Sequence, residues 1–176
     1  LRDEKRIGFA NAGKADLYKL LVSNLYNQIG KTYDLDLSKV VSGVEIGNVK
    51  GIVSDLARGG FYPDSKIVKL SPDRFEKPGS SLIYSATHEL GHGLDFANED
   101  LRDDIVKKHS PLVKKINKSS SDKFKKYGFS PIEVAADAYA GLFSGKYRQS
   151  VTGGGSHVEA ADFENTREYL YKEIIP

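Results

Sequence analysis

Residues 80–98 read SSLIYSATHELGHGLDFAN and place His88, Glu89 and His92 in the order HExxH. In a helix, residues four apart share one face with their Cβ atoms about 6 Å apart, so both imidazoles can reach a single cation. Glu89 is rotated from His88 by about 100°, which lets it lean over that cation without taking the same ligand position. Zinc held by two neutral imidazoles and a third ligand keeps one open position, where water is acidified and a carboxylate can remove its proton. HExxH supplies most of this in one helical turn. Leu82, Ile83, Ala86 and Leu90 give an apolar stripe near the 3.6 period, and Ser80 or Ser81 can cap the start. Gly91 and Gly93 allow other backbone to approach closely.

The rest of the chain bounds what such a helix can belong to. With 176 residues, 39% of them hydrophobic and 28% charged, a single domain spanning 1–176 with a sizeable core is expected. No run approaches the roughly 18 apolar residues of a membrane span. Cysteine is absent, so disulfides, thiolate catalysis and Cys-ligated zinc are excluded, and any metal must use His and carboxylates. A formal charge of +2 is too small to argue for nucleic acid. The first residues, LRDEKRIGFA, lack the apolar region of a signal peptide. Because the chain starts at Leu1 without Met, removal of a leader or of a neighbouring domain is one expectation. Lys107, Lys108, Lys114, Lys115, Lys118, Lys123, Lys125 and Lys126 share a segment whose one acid is Asp122. That segment reads as a solvated helix face, with an acidic partner or substrate as the alternative.

From the N-terminus, residues 14–30 read as an amphipathic helix with Leu17, Leu20, Leu21 and Leu25 as its apolar stripe and Gly30 as its stop. Residues 38–58 suggest one or two short strands around a turn. GGFYPDSKIVKLSPDRF, residues 59–75, reads as a turn, a strand over Lys66 to Leu70, and a loop leading to the HExxH helix. That strand, taken as an edge, has a free side that an extended peptide can join by β-augmentation. Glu99 to Lys118 is helical in pattern, broken or restarted at Pro111.

A metal centre needs a third ligand. The pattern HExxHxxGxxH fails, since Asp95 stands at the Gly position and Asn98 at the last His. His109 lies among lysines, a poor place for a buried ligand. Glu133 is better placed: Ser130 as N-cap and Pro131 at the first helical position start a helix with Ile132, Ala135, Ala136, Tyr139, Leu142 and Phe143 as its stripe. Its alanines permit close approach. Glu133 and Asp137, four apart, project together, so that one carboxylate can ligate and the other can accept the second ring N–H of a ligand His. The competing reading is a capping box, Ser130-Pro131-Ile132-Glu133, with Phe129 and Val134 as its hydrophobic staple. The two roles draw on the same carboxylate.

HELGHGLD (88–95) together with YGFSPIEVAADAYAGLF (127–143) resembles the gluzincin type of zinc metallopeptidase. More narrowly it is similar to the anthrax lethal-factor-like group of catalytic domains, which includes Pro-Pro endopeptidases. The likeness runs from about Gly59 to the C-terminus. It implies an α+β, zincin-like domain with a small N-terminal sheet, an edge strand over the cleft, an active-site helix and a C-terminal helical part. It implies His88, His92 and Glu133 as ligands to one Zn2+, Glu89 as general base and Tyr127 as hydrogen-bond donor to the oxyanion. The interval from Tyr127 to Glu133 is one residue shorter than the group's pattern, so a structural tyrosine is the alternative there. Tyr139 and Tyr84 are substitutes that sit on core-like stripes. His157, after the Gly153 to Gly155 loop, stands either as an oxyanion or substrate group or as a surface His, and the loop can act as a lid. A closing helix with Phe163, Tyr169 and Leu170 follows.

The function expected on this basis is zinc-dependent hydrolysis of peptide bonds in a peptide or protein substrate, by a monomer in a secreted or extracellular setting. The rival from another class is a binding module, associated with a virion or toxin, that keeps a zincin fold with little or no proteolysis.

Overall fold

The computed structural model describes residues 2–47, 49, 59–71, 82–108, 130–144, 168 and 172, with side chains from Gly13 onward. It is a mixed α+β chain whose described elements are helices and one three-stranded sheet. Two compact units divide it, Leu1–Ala86 and Thr87–Pro176, and the HExxH helix runs through the boundary.

In the first unit, α1 (Arg2–Tyr33) is longer than its periodicity suggests. Its inward face is formed by Val22, Tyr26 and Ile29, spaced four and three apart, whereas Leu17, Leu20 and Leu21 are 53%, 58% and 48% exposed. Three of the four leucines expected on the inward stripe are therefore exposed, and the fourth, Leu25, is half-buried. Both rows have helical spacing, so periodicity alone does not choose between them. Nor does the helix stop at Gly30. It continues to Tyr33 and ends where Asp34 takes the left-handed conformation, φ 52°, and the Leu35 N–H donates to the Gly30 carbonyl at 2.9 Å. That is a Schellman closure with Asp in the position glycine usually fills.

The sheet comprises β1 (Gly43–Ile46), β2 (Gly59–Tyr62) and β3 (Ile67–Leu70) in the order β1-β3-β2. β1 runs parallel to β3 with Val44 opposite Val68, and β2 runs antiparallel to it with Phe61 opposite Val68. The strand expected at the edge is thus the central one. Both its sides are hydrogen-bonded, which removes the free edge proposed for peptide pairing, and Val68 and Leu70 are fully buried. The missed element is β2, because Gly59 and Gly60 read as a turn. Pairing with β3 gives this glycine-rich segment the partner its own propensity does not predict. The β2–β3 connection turns through Lys66 at φ 54°, whose Nζ donates to the Lys39 carbonyl at 2.9 Å.

α2 (Leu82–Ala97) carries the motif. Ala86 and Leu90 are fully buried as expected, while Ile83 is exposed. Within the first unit, the Tyr26 hydroxyl donates to the Ala86 carbonyl at 2.7 Å, fixing α2 two residues before His88.

In the second unit, α2 ends in a short turn, Glu99–Leu101, and α3 (102–108) follows with Ile105 buried. The fully buried Asp95 carboxylate accepts from Arg102 Nε at 2.8 Å and lies 2.8 Å from its Nη2, and Arg102 also lies over the Phe96 ring. An acid in the last turn of a helix opposes the helix dipole, and Arg102 neutralises it. α4 (Pro131–Ser144) is buried continuously from Glu133 to Leu142. A helix enclosed on all sides tolerates polar groups only where they have partners, and its two buried acids are Glu133 and Asp137. Of the closing helix, Glu168 and Lys172 are described; both are helical and paired at 2.8 Å.

Candidate metal centre

All the described groups of the centre lie in the second unit. α2 presents His88 and His92 one turn apart, with ring centroids 4.8 Å apart and planes at 88°. α4 presents Glu133 and Asp137 one turn apart. His88 Nε2 lies 3.2 Å from Glu133 Oε2, and His92 Nε2 lies 3.4 Å from Glu133 Oε1. On its other side, His88 Nδ1 lies 2.8 Å from Asp137 Oδ1. One donor atom from each of His88, His92 and Glu133 falls within 4.8 Å of the others, an arrangement that can hold a metal ion.

The helices approach this closely because the residues between the donors are small. Gly91 lies between the two histidines on α2, and Ala136 lies between the two acids on α4. A Cβ built on Gly91 would sit 2.8 Å from the Ala136 carbonyl oxygen, 2.9 Å from its Cα and 3.0 Å from Tyr139 Cβ.

The chemistry of the donors favours a cation among them. A neutral His88 ring protonated on Nδ1, the nitrogen 2.8 Å from Asp137 Oδ1, presents the Nε2 lone pair to Glu133, itself an acceptor. Two acceptors face each other stably only with a proton or a cation between them. Glu133 Oε2 and His92 Nδ1 are buried without a hydrogen-bond partner among the described residues. In a tetrahedral site with bonds of about 2.0–2.1 Å, donors lie about 3.4 Å apart, close to the two imidazole–carboxylate separations of 3.2 and 3.4 Å.

Electrostatics show what holds the groups together when only protein surrounds them. Burial pushes the His88 imidazole down, but Asp137 and Glu133 together outweigh it and raise the pKa to about 10. Burial pushes Glu133 up, and the two imidazoles reverse this and hold it well below the usual carboxylate range. A proton and a metal ion thus compete for His88 Nε2.

The capping-box role for Glu133 is not the one observed. Ser130 does start α4, its carbonyl accepting from the Val134 N–H at 2.9 Å, but both Glu133 oxygens face the histidines. Glu89 is 6% exposed, on the same turn as His88. Tyr139, a substitute oxyanion donor, belongs to the core: it is 2% exposed, stacks on Phe143 and packs at the Gly91 crossing. Burial, followed by the charge of Asp95, pushes its phenol up. Tyr84 is half-buried, one turn before His88. Tyr127, His157, His109, the Ser80 or Ser81 cap, Phe129, the 153–155 loop and most of the lysine-rich segment lie outside the described residues. Asp95, with its Arg102 partner, is the buried charged group that sequence reading passed over. A signal was available, since Asp95 follows His92 by three positions and so shares its helix face.

No family model, curated protein or solved structure matches the chain.

Proposed function

We propose that the chain is a zinc-dependent endopeptidase of gluzincin type. The observation that carries the reading is the convergence of two imidazole nitrogens from α2 and one carboxylate from α4, with a second buried acid, Glu89, next to His88 in the sequence of α2. Donor spacing alone suits both a tetrahedral zinc and a larger six-coordinate ion with bonds near 2.4 Å. Two imidazoles among three donors favour the zinc-like class over calcium or magnesium.

When bound, zinc supplies a Lewis acid with a position for water and a peptide carbonyl. His88, His92 and Glu133 would hold the ion, and Asp137, 2.8 Å from His88 Nδ1, would fix that ring's tautomer. Glu133 contributes the negative charge of the site. Glu89 takes a proton from water onto a carboxylate oxygen and delivers it to the leaving amine. Tyr127, by the resemblance, or else His157 would donate to the oxyanion that forms as water adds to the peptide carbonyl.

Metal analysis and peptide-library cleavage on the same preparation test this. One zinc per chain, held much more weakly in Glu133→Ala, with cleavage abolished in Glu89→Gln while zinc stays bound, is the expected result. Near wild-type cleavage by Glu89→Gln rules the mechanism out, and zinc without cleavage of any peptide favours a zincin-fold binding module.

A further inference from the structure

We infer that Gly91 is a positioning residue for the metal centre: its missing side chain sets the distance between the histidine pair and Glu133. The inference rests on the metal-centre reading above and deepens it. His88 and His92 come from one helical turn, so their relation to each other is local and survives a shift of α4. Glu133 and Asp137 come from the other helix, and the backbone contact of Gly91 with Ala136 fixes how near they stand.

Gly91 follows His88 by three positions and precedes His92 by one, while Ala136 follows Glu133 by three and precedes Asp137 by one. The point of closest approach is therefore level with the donors. A Cβ at Gly91 would meet backbone atoms at 2.8 and 2.9 Å, where ordinary contact begins at 3.4 Å, and backbone cannot rotate aside as a side chain can. Relief requires α4 to withdraw by about 0.6 Å, whereas metal–ligand distances tolerate about 0.2 Å. The histidines would keep their cation-binding geometry and lose their carboxylate. Burial of Ala135, Ala136, Ala138 and Ala140 on all sides leaves α4 little room to compensate by rotation.

A double-mutant cycle separates positioning from general loosening. Zinc affinity is measured by competition with a chromophoric chelator for wild type, Gly91→Ala, Glu133→Ala and the double variant. Gly91→Ala is expected to weaken zinc binding about 10- to 100-fold in the wild-type background, the range seen for groups that orient ligands. In the Glu133→Ala background the same substitution should weaken it less than about threefold, since the ligand it displaces is gone. The Co2+ absorption spectrum of Gly91→Ala should shift toward that of Glu133→Ala. Equal loss in both backgrounds, or no loss in either, overturns the inference. Should Gly91→Ala not fold, Ala136→Ser adds one atom at the same fully buried crossing and must give the same non-additive pattern. Wild type that binds no zinc sinks the metal-centre reading itself, whereas a zinc affinity that falls in Glu133→Ala but is unchanged in Gly91→Ala sinks the positioning role alone.

Discussion

His88 Nδ1 and Asp137 Oδ1 stand 2.8 Å apart, so the ring whose Nε2 faces Glu133 is also met on its other side by the helix that supplies Glu133. This makes Asp137 a second point at which α4 controls α2. Removing it in Asp137→Ala should weaken zinc binding about 10- to 100-fold. Asp137→Asn keeps an oxygen that can accept from the ring and should lie between the two. Isothermal titration or chelator competition measures this, and equal affinity in all three proteins would remove Asp137 from the centre.

The same contacts predict how stability depends on pH in the presence of a chelator. The His88 pKa is raised from 6.5 to about 10, so its contribution is fully present below pH 6.5 and is lost as pH rises through 10. The Glu133 pKa is lowered, so its contribution is present above 4.5 and is lost as pH falls toward its depressed value. The melting temperature of chelated protein should therefore be highest between about pH 4.5 and 6.5 and fall on the alkaline side. His88→Ala should flatten the alkaline slope. A chelated protein whose melting temperature rises from pH 7 to 10 contradicts the assignment.

Asp95 and Arg102 form a bidentate pair in which the carboxylate is fully enclosed. Arg102→Ala leaves a buried charge without its partner and should lower unfolding free energy by about 3–5 kcal/mol in urea titrations. Asp95→Ala added to it removes the orphaned charge and should restore part of the loss. An additive double variant would show that the two residues act independently.

The two faces of α1 give a direct test of its orientation. Ile29→Ala removes a buried side chain and should destabilise by about 2–4 kcal/mol. Leu20→Ala, on the exposed row, should change stability by less than about 0.5 kcal/mol. Denaturant midpoints compare them, and the reverse order would mean the leucine row faces inward.

What could be read from the sequence follows the range over which each feature is determined. His88 and His92 were legible because a helical pair is a local fact, and Glu133 because Ser130 and Pro131 mark where its helix begins. Asp34 hid the end of α1, since a left-handed Asp carries no signal comparable to Gly30. The central place of β3 and the existence of β2 depend on pairing between Phe61, Val68 and Val44, which nothing within any one segment records. The choice between Val22 and Leu20 as the inward row likewise depends on which surface meets them. For Glu133, capping and ligation use the same spacing, and only the histidines opposite show which groups its oxygens face.

His88 and His92 are neighbours before the chain has folded at all, whereas Glu133 reaches them only after residues 93–132 have been brought round. A cation held by all three would act as a removable cross-link closing that loop, stabilising the folded unit to the extent that it binds the three ligands there more tightly than it binds the unfolded chain. With such a cation, the supply of metal would set how often the unit Thr87–Pro176 lets go of its own fold.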